Sequence, residues 1–189
     1  MITLRTGQTI RLRQAGVRPL RTVRIDTSWV SRRRRGIFRS RTQSIDLDAS
    51  AVLFADRQPV DVVFFRHLVS DDGSVRHSGD SFVGDSIGDS ESILFDLHRI
   101  PLHVDSIVVA LNSFTGQVFA DVEVVTFRLI DEAGAREVAV HTLAGGGTHT
   151  ARLLAKLGRQ GSDWCMTALG TPASGRTFQE LLPTMLQVL

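Results

Sequence analysis

The sequence contains no tyrosine, one cysteine and one lysine, Lys156, among its 22 cationic residues. A single cysteine excludes an internal disulfide, and Cys165 lies between Trp164 and Met166, so we expect a buried core thiol and not a nucleophile. No apolar run reaches the roughly 18 residues that a membrane-spanning helix needs. The first residues also lack the apolar stretch of a signal peptide. These absences lead us to expect a cytoplasmic protein.

Charge is distributed unevenly along the chain. Residues 1–41 hold twelve arginines and one acid, Asp26, whereas residues 42–189 hold nineteen acids and ten cations. An Arg-rich loop is predicted at 31–41. Guanidinium groups pair bidentately with carboxylates or phosphates, so this loop can neutralise acids of the chain itself or bind an anionic partner. The four cations concerned are Arg32, Arg33, Arg34 and Arg35.

Nucleic acid is the least favoured of these anionic partners. No aromatic residue separates the four arginines, and no recognition helix is predicted nearby. We therefore expect no specific nucleic-acid recognition, and a protein that associates with nucleic acid through its Arg-rich part remains a distant alternative.

Strand patterns dominate the sequence, and its 189 residues fit a single domain, 1–189. Apolar or β-branched residues alternate with polar or small ones over 23–29, and similar strand signals occur at 45–54, 60–65, 92–97, 104–111 and 118–130. Turn residues separate them at 71–74, 131–134 and 145–147. Many short strands with regular turns predict an all-β fold, a two-sheet β-sandwich.

Two segments differ from this pattern. Residues 148–157 contain helix-forming residues but also alternate, so helix and strand both remain open there. Residues 177–186 predict a short C-terminal amphipathic helix, and Pro183 inside it indicates that the helix is short or kinked. Its apolar face is formed by Phe178, Leu181, Leu182 and Met185.

Acidic residues concentrate in two places. Asp46 and Asp48 are two residues apart on a predicted strand, so they share one face and point outward if Leu47 points to the core. A second group lies on a segment rich in glycine and serine. Calcium takes roughly 6 to 8 oxygen ligands in flexible geometry and would neutralise such a cluster, whereas a solvated acidic loop is the alternative. The second group comprises Asp71, Asp72, Asp80, Asp85, Asp89 and Glu91.

Other chemistries fit the sequence poorly. Gly-Asp-Ser occurs three times between 79 and 90, but serine hydrolysis needs a histidine base oriented by an acid, and the segment does not read as a strand-to-helix elbow. The EF-hand pattern is also missing. The histidines show no HxxxH or CxxC spacing, so we expect surface or supporting roles for them and not a zinc site. They are His67, His77, His98, His103, His141 and His149.

The residues between about 45 and 170, and more weakly from residue 4, resemble the TerD-type tellurium-resistance and stress-protein family. The resemblance lies in DLDASA at 46–51, DDGSVRHSGD at 71–80, GDSE at 88–91, VDSI at 104–107 and NSFTGQ at 112–117. It implies a two-sheet β-sandwich with calcium bound between acidic loops. It also implies a cytoplasmic role in stress response without known catalysis.

The same resemblance implies a set of metal ligands and some departures from it. The ligands would be Asp46, Asp48, Asp80, Asp89 and Glu91, and Asp85 stands where the family also tends to be acidic. Four features depart from the family pattern and remove oxygen ligands, so the resemblance implies weakened or single-site calcium binding. They are Val30 after Trp29, Ser81 after Asp80, Ile87 and Ser90 within the acidic run, and Arg66-His67 at an Asn-bearing strand end.

We therefore predict a non-catalytic, calcium-binding β-sandwich protein of the tellurite-resistance or stress-response type. Protein partners in a stress-response complex are expected. The alternative is a metal-independent interaction or scaffold module in a stress-related or membrane-associated complex.

Overall fold

The computed structural model describes residues 1–14, 18–32, 45–78 and 89–189, and for Asp89 the backbone only. One α-helix, α1 (Phe178–Val188), and a 3-10 turn (Phe119–Asp121) accompany fourteen strands within these residues. The strands are β1 (Ile2–Thr3), β2 (Thr9–Arg11), β3 (Arg13–Gln14), β4 (Arg18–Pro19), β5 (Thr22–Ser31), β6 (Asp48–Ala55), β7 (Gln58–Val63), β8 (Val75–His77), β9 (Asp89–Asp96), β10 (Ser106–Asn112), β11 (Val122–Asp131), β12 (Arg136–Ala144), β13 (Ala151–Gln160) and β14 (Asp163–Ala173).

The strands form two large sheets that share one core. Sheet I has the order β1-β12-β11-β5-β9-β8, and sheet II has the order β2-β14-β13-β10-β6-β7. Paired strands run antiparallel except β1, which lies parallel to β12. The short strands β3 and β4 pair with each other. The predicted two-sheet fold with a short C-terminal helix is confirmed.

Strand β5 shows why these residues form half-buried strands. Its buried positions alternate with partly exposed ones, as the sequence predicted, because successive side chains of a strand point to opposite faces. Ile25 and Trp29 pack in the core between the sheets. Sheet II contributes residues such as Leu53 to the same core. Burying each large apolar side chain contributes about 1.5–3 kcal/mol. The indole Nε1–H of Trp29 donates to the carbonyl of Ile45 at 2.9 Å, so its polar atom stays satisfied.

Helix α1 covers the outer face of sheet II. Leu181 and Met185 are fully buried against Val52, Phe54 and other residues of that face. Pro183 lies inside the helix, yet the helix continues to Val188. Two side chains satisfy its last carbonyls: Arg57 Nη2, from the turn between β6 and β7, donates to Leu186 O, and Lys156 Nζ, from β13, donates to Val188 O, each at 2.7 Å. Cations at this end also oppose the negative end of the helix dipole.

Residues 148–157, which the pattern left open between helix and strand, belong mostly to strand β13. Ala151 and Leu153 pack under α1, whereas Leu154, Ala155 and Leu157 pack in the core between the sheets. The pairing of β13 with both neighbours shifts register between Leu153 and Ala155. The strand is thus apolar on both faces and changes phase at a bulge, so its periodicity was ambiguous.

Two further expectations concern single features. Cys165 is buried at 5% exposure, as predicted for a core thiol. Most of the predicted Arg-rich loop at 31–41, with Arg33, Arg34 and Arg35, lies outside the described residues. At its start, the Arg32 backbone N–H donates to Asp121 O at 2.6 Å. In the part of the chain that the structure describes, no helix is long and apolar enough to cross a membrane.

Candidate metal centre

Asp46 and Asp48 stand where the chain enters sheet II. Strand β6 begins at Asp48, which pairs with Asn112 of β10, and Asp46 lies in the segment just before it. Leu47 is buried at 1% exposure in the core between the sheets, whereas Asp46 is exposed and Asp48 is partly exposed. The alternation predicted for these three residues is confirmed.

Glu91 approaches the same place from sheet I. It lies in β9, opposite Thr27 of β5, and is only 7% exposed. Its carboxylate Oε2 accepts a hydrogen bond from the backbone N–H of Ala49, which follows Asp48 in sheet II. The Thr27 hydroxyl donates to the Glu91 backbone carbonyl at 3.0 Å and holds this part of β9 to β5. The Glu91 carboxylate of sheet I therefore lies against the first residues of β6 in sheet II.

The environment of Asp48 is electrostatically unfavourable for an anion. Burial, together with the negative charges of Glu91 and Asp46, raises its pKa to about 6, against a backbone hydrogen bond from Phe114 and the charge of His77. Its Oδ2 is buried and has no hydrogen-bond partner among the described residues. Asp48 thus lies in the field of two other carboxylates, and its buried Oδ2 is unpaired within the described residues.

His77 is the site residue that sequence reasoning missed. It lies in β8, its side chain is 1% exposed, and its Nε2 is 3.4 Å from Glu91 Oε2. The alternation of Val75 and His77 about exposed Arg76 in β8 was the available signal, since it places His77 on the buried face. A buried imidazole beside Glu91 can donate to the carboxylate and orient it.

Other histidines match the expected supporting role. His149 stacks on Phe119 with ring centroids 4.9 Å apart, and its Nε2 is 3.2 Å from Arg152 Nη2. Arginine only donates, so Nε2 accepts and this ring is neutral. Burial lowers the pKa of His149, and the charge of Arg152 lowers it further.

Asp72, in the predicted acidic group, stabilises a turn. Burial alone would raise its pKa, but hydrogen bonds from the Ser70 hydroxyl and from the Ser74 N–H and hydroxyl outweigh burial and lower it. The carboxylate is already fully engaged with donors of its own turn. It therefore differs from Asp48, whose neighbours are anions.

The remaining predicted ligands are described only in part. Asp89 is the first residue of β9 and pairs with Trp29, but the structure describes only its backbone. Asp80 and Asp85 lie outside the described residues. Of the six predicted ligands, Asp46 and Glu91 act on Asp48 through their charge, and Glu91 reaches the backbone N–H of Ala49 beside it.

An aromatic cleft of about 210 Å³ adjoins Asp48. Asp48, Ser50 and Asn112 contribute polar groups to it, and the walls carry four phenylalanines. The rings of two of them, at positions 65 and 114, lie 6.0 Å apart and are 38% and 43% exposed. The four are Phe64, Phe65, Phe114 and Phe178.

The fold and the site define a two-sheet β-sandwich with Asp46, Asp48 and Glu91 at one end. A family model, the TerD domain, matches residues 1–184, and the chain belongs to this family. It is 40% identical over 139 residues to tellurium resistance protein TerZ of Serratia marcescens, covering 73% of this chain and 72% of that protein. It is 27% identical over 147 residues to stress response protein SCP2 of Bacillus subtilis, covering 74% of each.

The fold is also found among solved structures. A crystal structure of a homologue of telluride resistance protein (TerD) from Streptomyces coelicolor superposes with a TM-score of 0.64 at 22% identity. The match covers 88% of this chain and 98% of that one. At this identity the likeness shows the fold.

Proposed function

We propose that this protein is a non-catalytic, cytoplasmic calcium-binding member of the TerD family that acts in tellurite resistance or stress response. The observation that carries the calcium proposal is the environment of Asp48. Its carboxylate is crowded by Glu91 and Asp46, and its Oδ2 is buried without a hydrogen-bond partner among the described residues. A cation placed there would turn a repulsive cluster into a set of ligands.

The chemistry of the donors suits a hard cation. Asp46, Asp48 and Glu91 offer only oxygen atoms, which calcium prefers. The Ser78 N–H donates to Ser92 O at 3.0 Å, which places Ser78 beside β9, next to Glu91. We propose that Asp80, Asp85 and Asp89 supply further oxygens. The relatives named for tellurium resistance and stress response support the biological role.

Calcium at this position would connect the two sheets. Asp48 belongs to sheet II and Glu91 to sheet I, and the hydrogen bond from Ala49 to Glu91 already joins them there. The ion would supply positive charge, while the Ala49 N–H holds the Glu91 carboxylate in place and His77 lies beside it. The departures from the family pattern lead us to expect weakened or single-site binding.

Calcium should therefore raise the melting temperature. A ligand that binds only the folded state stabilises it by RT ln(1 + [L]/Kd), about 2.7 kcal/mol at 100 times Kd. The measurement is thermal unfolding in millimolar calcium and in excess chelator, together with calorimetric titration. Equal melting temperatures and no heat of binding would contradict the proposal.

The aromatic cleft favours a second candidate function, a metal-independent interaction module. Phe65 and Phe114 expose large apolar surface beside the site, and such surfaces often mark binding sites. This candidate predicts that Phe65→Ser, with calcium absent, abolishes association with a stress-complex or membrane partner. The calcium proposal predicts instead that the association depends on the ion.

A further inference from the structure

We infer that Asp61, His67 and Asp71 form a second cation site, separate from the carboxylates at Asp48, that takes a divalent transition metal ion such as zinc. One ligand atom from each residue can be chosen so that all three lie within 4.8 Å of one another. Asp61 lies in β7, and the other two residues follow on the connection to β8.

The hydrogen bond of His67 determines which nitrogen is free to bind. Nδ1 is 2.7 Å from the carbonyl oxygen of Val62, and a carbonyl can only accept, so Nδ1 carries the proton. In the neutral ring, Nε2 therefore keeps its lone pair. A backbone carbonyl in this position is the usual support of a metal-binding histidine, because it fixes the tautomer and the ring orientation.

The free nitrogen faces an anion. Nε2 of His67 is 3.6 Å from Asp71 Oδ1, which is beyond hydrogen-bond length. A lone pair and a carboxylate repel each other unless a metal ion lies between them or Nε2 is protonated. With metal–ligand bonds of about 2.0–2.2 Å, two ligands of a tetrahedral zinc ion are about 3.3–3.6 Å apart. The observed separation is therefore close to that of two atoms sharing one ion.

Asp61 is held in place by hydrogen bonds, whereas Asp71 is exposed, and this combination suits such a site. Asp61 is 14% exposed and is fixed by backbone donors, from Val62 to Oδ1 at 2.7 Å and from Asp71 to Oδ2 at 2.8 Å. Each oxygen has a further lone pair for a metal. Asp71 is 89% exposed and can rotate to close the site.

The donor set separates this site from the proposed calcium site. Imidazole nitrogen suits zinc, nickel and copper, whereas calcium takes oxygen ligands. The spacing of histidines gave no zinc motif because two of these three ligands are aspartates, and the turn after β7 brings His67 and Asp71 back to Asp61. The proposal does not depend on the function proposed for Asp48.

The test is calorimetric titration of zinc into tag-free protein at neutral pH with calcium present. We expect one zinc ion per chain, with affinity at least about tenfold lower in His67→Gln and in Asp71→Asn. His98→Gln is the matched control, since His98 is also exposed and paired with one aspartate, Asp96, at 2.6 Å. It should leave zinc affinity unchanged.

A second readout is the visible spectrum of bound cobalt(II), which His67→Gln should abolish. If zinc affinity in His67→Gln and Asp71→Asn equals that of the parent protein, the proposal is overturned. Asp71→Asn keeps the test valid if His67→Gln fails to fold, because the Asp71 side chain is almost fully exposed. Calcium-induced stabilisation, measured in the same variants, should stay unchanged and reports separately on Asp48.

Discussion

At the scale of single residues, two aspartates of similar sequence context have opposite electrostatic settings. Asp72 receives hydrogen bonds from serines of its own turn, and its pKa is lowered. The pKa of Asp48 is raised to about 6 by burial and by neighbouring carboxylates. The sequence shows both as aspartates two residues before a serine, but only contacts distinguish a turn-stabilising carboxylate from one crowded by other anions.

Asp48→Asn should stabilise the calcium-free protein at neutral pH and abolish stabilisation by calcium. The folded pKa of Asp48 is above its unfolded value, so its favourable contribution is present below about pH 4 and is lost as pH rises through about 6. A pKa difference of about two corresponds to nearly 3 kcal/mol in the free energy of unfolding. Partial exposure and solvent screening reduce this contribution to about 1–2 kcal/mol.

The measurement is urea unfolding in chelator across pH 4 to 8, in steps that bracket the shift from about 4 to about 6. The advantage of Asp48→Asn should shrink as the pH falls. Asp72→Asn is the control with opposite sign: its lowered pKa makes the ionised form favourable, so the variant should be less stable at neutral pH. Loss of stability in Asp48→Asn at neutral pH would show that the carboxylate is structural.

At the scale of secondary-structure elements, close contact between backbones limits the sequence at the end of β12. A Cβ on Gly145 would lie 1.9 Å from the carbonyl oxygen of Val122, at the start of β11. The Gly145 N–H also donates to Glu123 O at 2.8 Å, so the two segments cannot simply separate. Glycine is required here for close approach.

Gly145→Ala should destabilise the protein by about 1–3 kcal/mol, the usual cost of overpacking. Gly158→Ala in β13 is the matched control, since no heavy atom lies within 4 Å of the added carbon. It should be neutral or stabilising by up to about 1 kcal/mol, because alanine restricts the unfolded chain. Chemical denaturation of both variants provides the comparison, and equal stabilities would show that β11 moves aside.

At the scale of the whole molecule, the proposed ion would act on both sheets at one end of the sandwich. Calcium should therefore slow hydrogen exchange at the start of both β6 and β9, including the Ala49 amide that donates to Glu91. Amides at Ala55 and Asp96, about 20 Å further along the same strands, serve as the internal control and should change less. Protection confined to one sheet would argue against an ion held by Asp48 and Glu91 together.

Local patterns predicted much of this architecture because they show which side chains of a strand or helix point to the core and which to solvent. Alternation identified β5 and placed Leu47 inward and Asp46 and Asp48 outward. An apolar stripe identified α1, although the helix extends past Pro183 to Val188. The pattern left β13 open, because it is buried on both faces and shifts phase at a bulge, and it did not predict β8, β12 or β14.

The sequence by itself determined strands β5, β6, β7, β9, β10 and β11, the terminal helix and the presence of acidic groups, since each depends on residues close along the chain. Tertiary structure decided which acids meet. Asp48 and Glu91 belong to different sheets, and only the packing of the sheets brings Glu91 to Ala49 and Asp48 into its field. The burial of His77 and the approach of Asp61 to His67 arise in the same way, because contacts between strands depend on register and packing that no local period encodes.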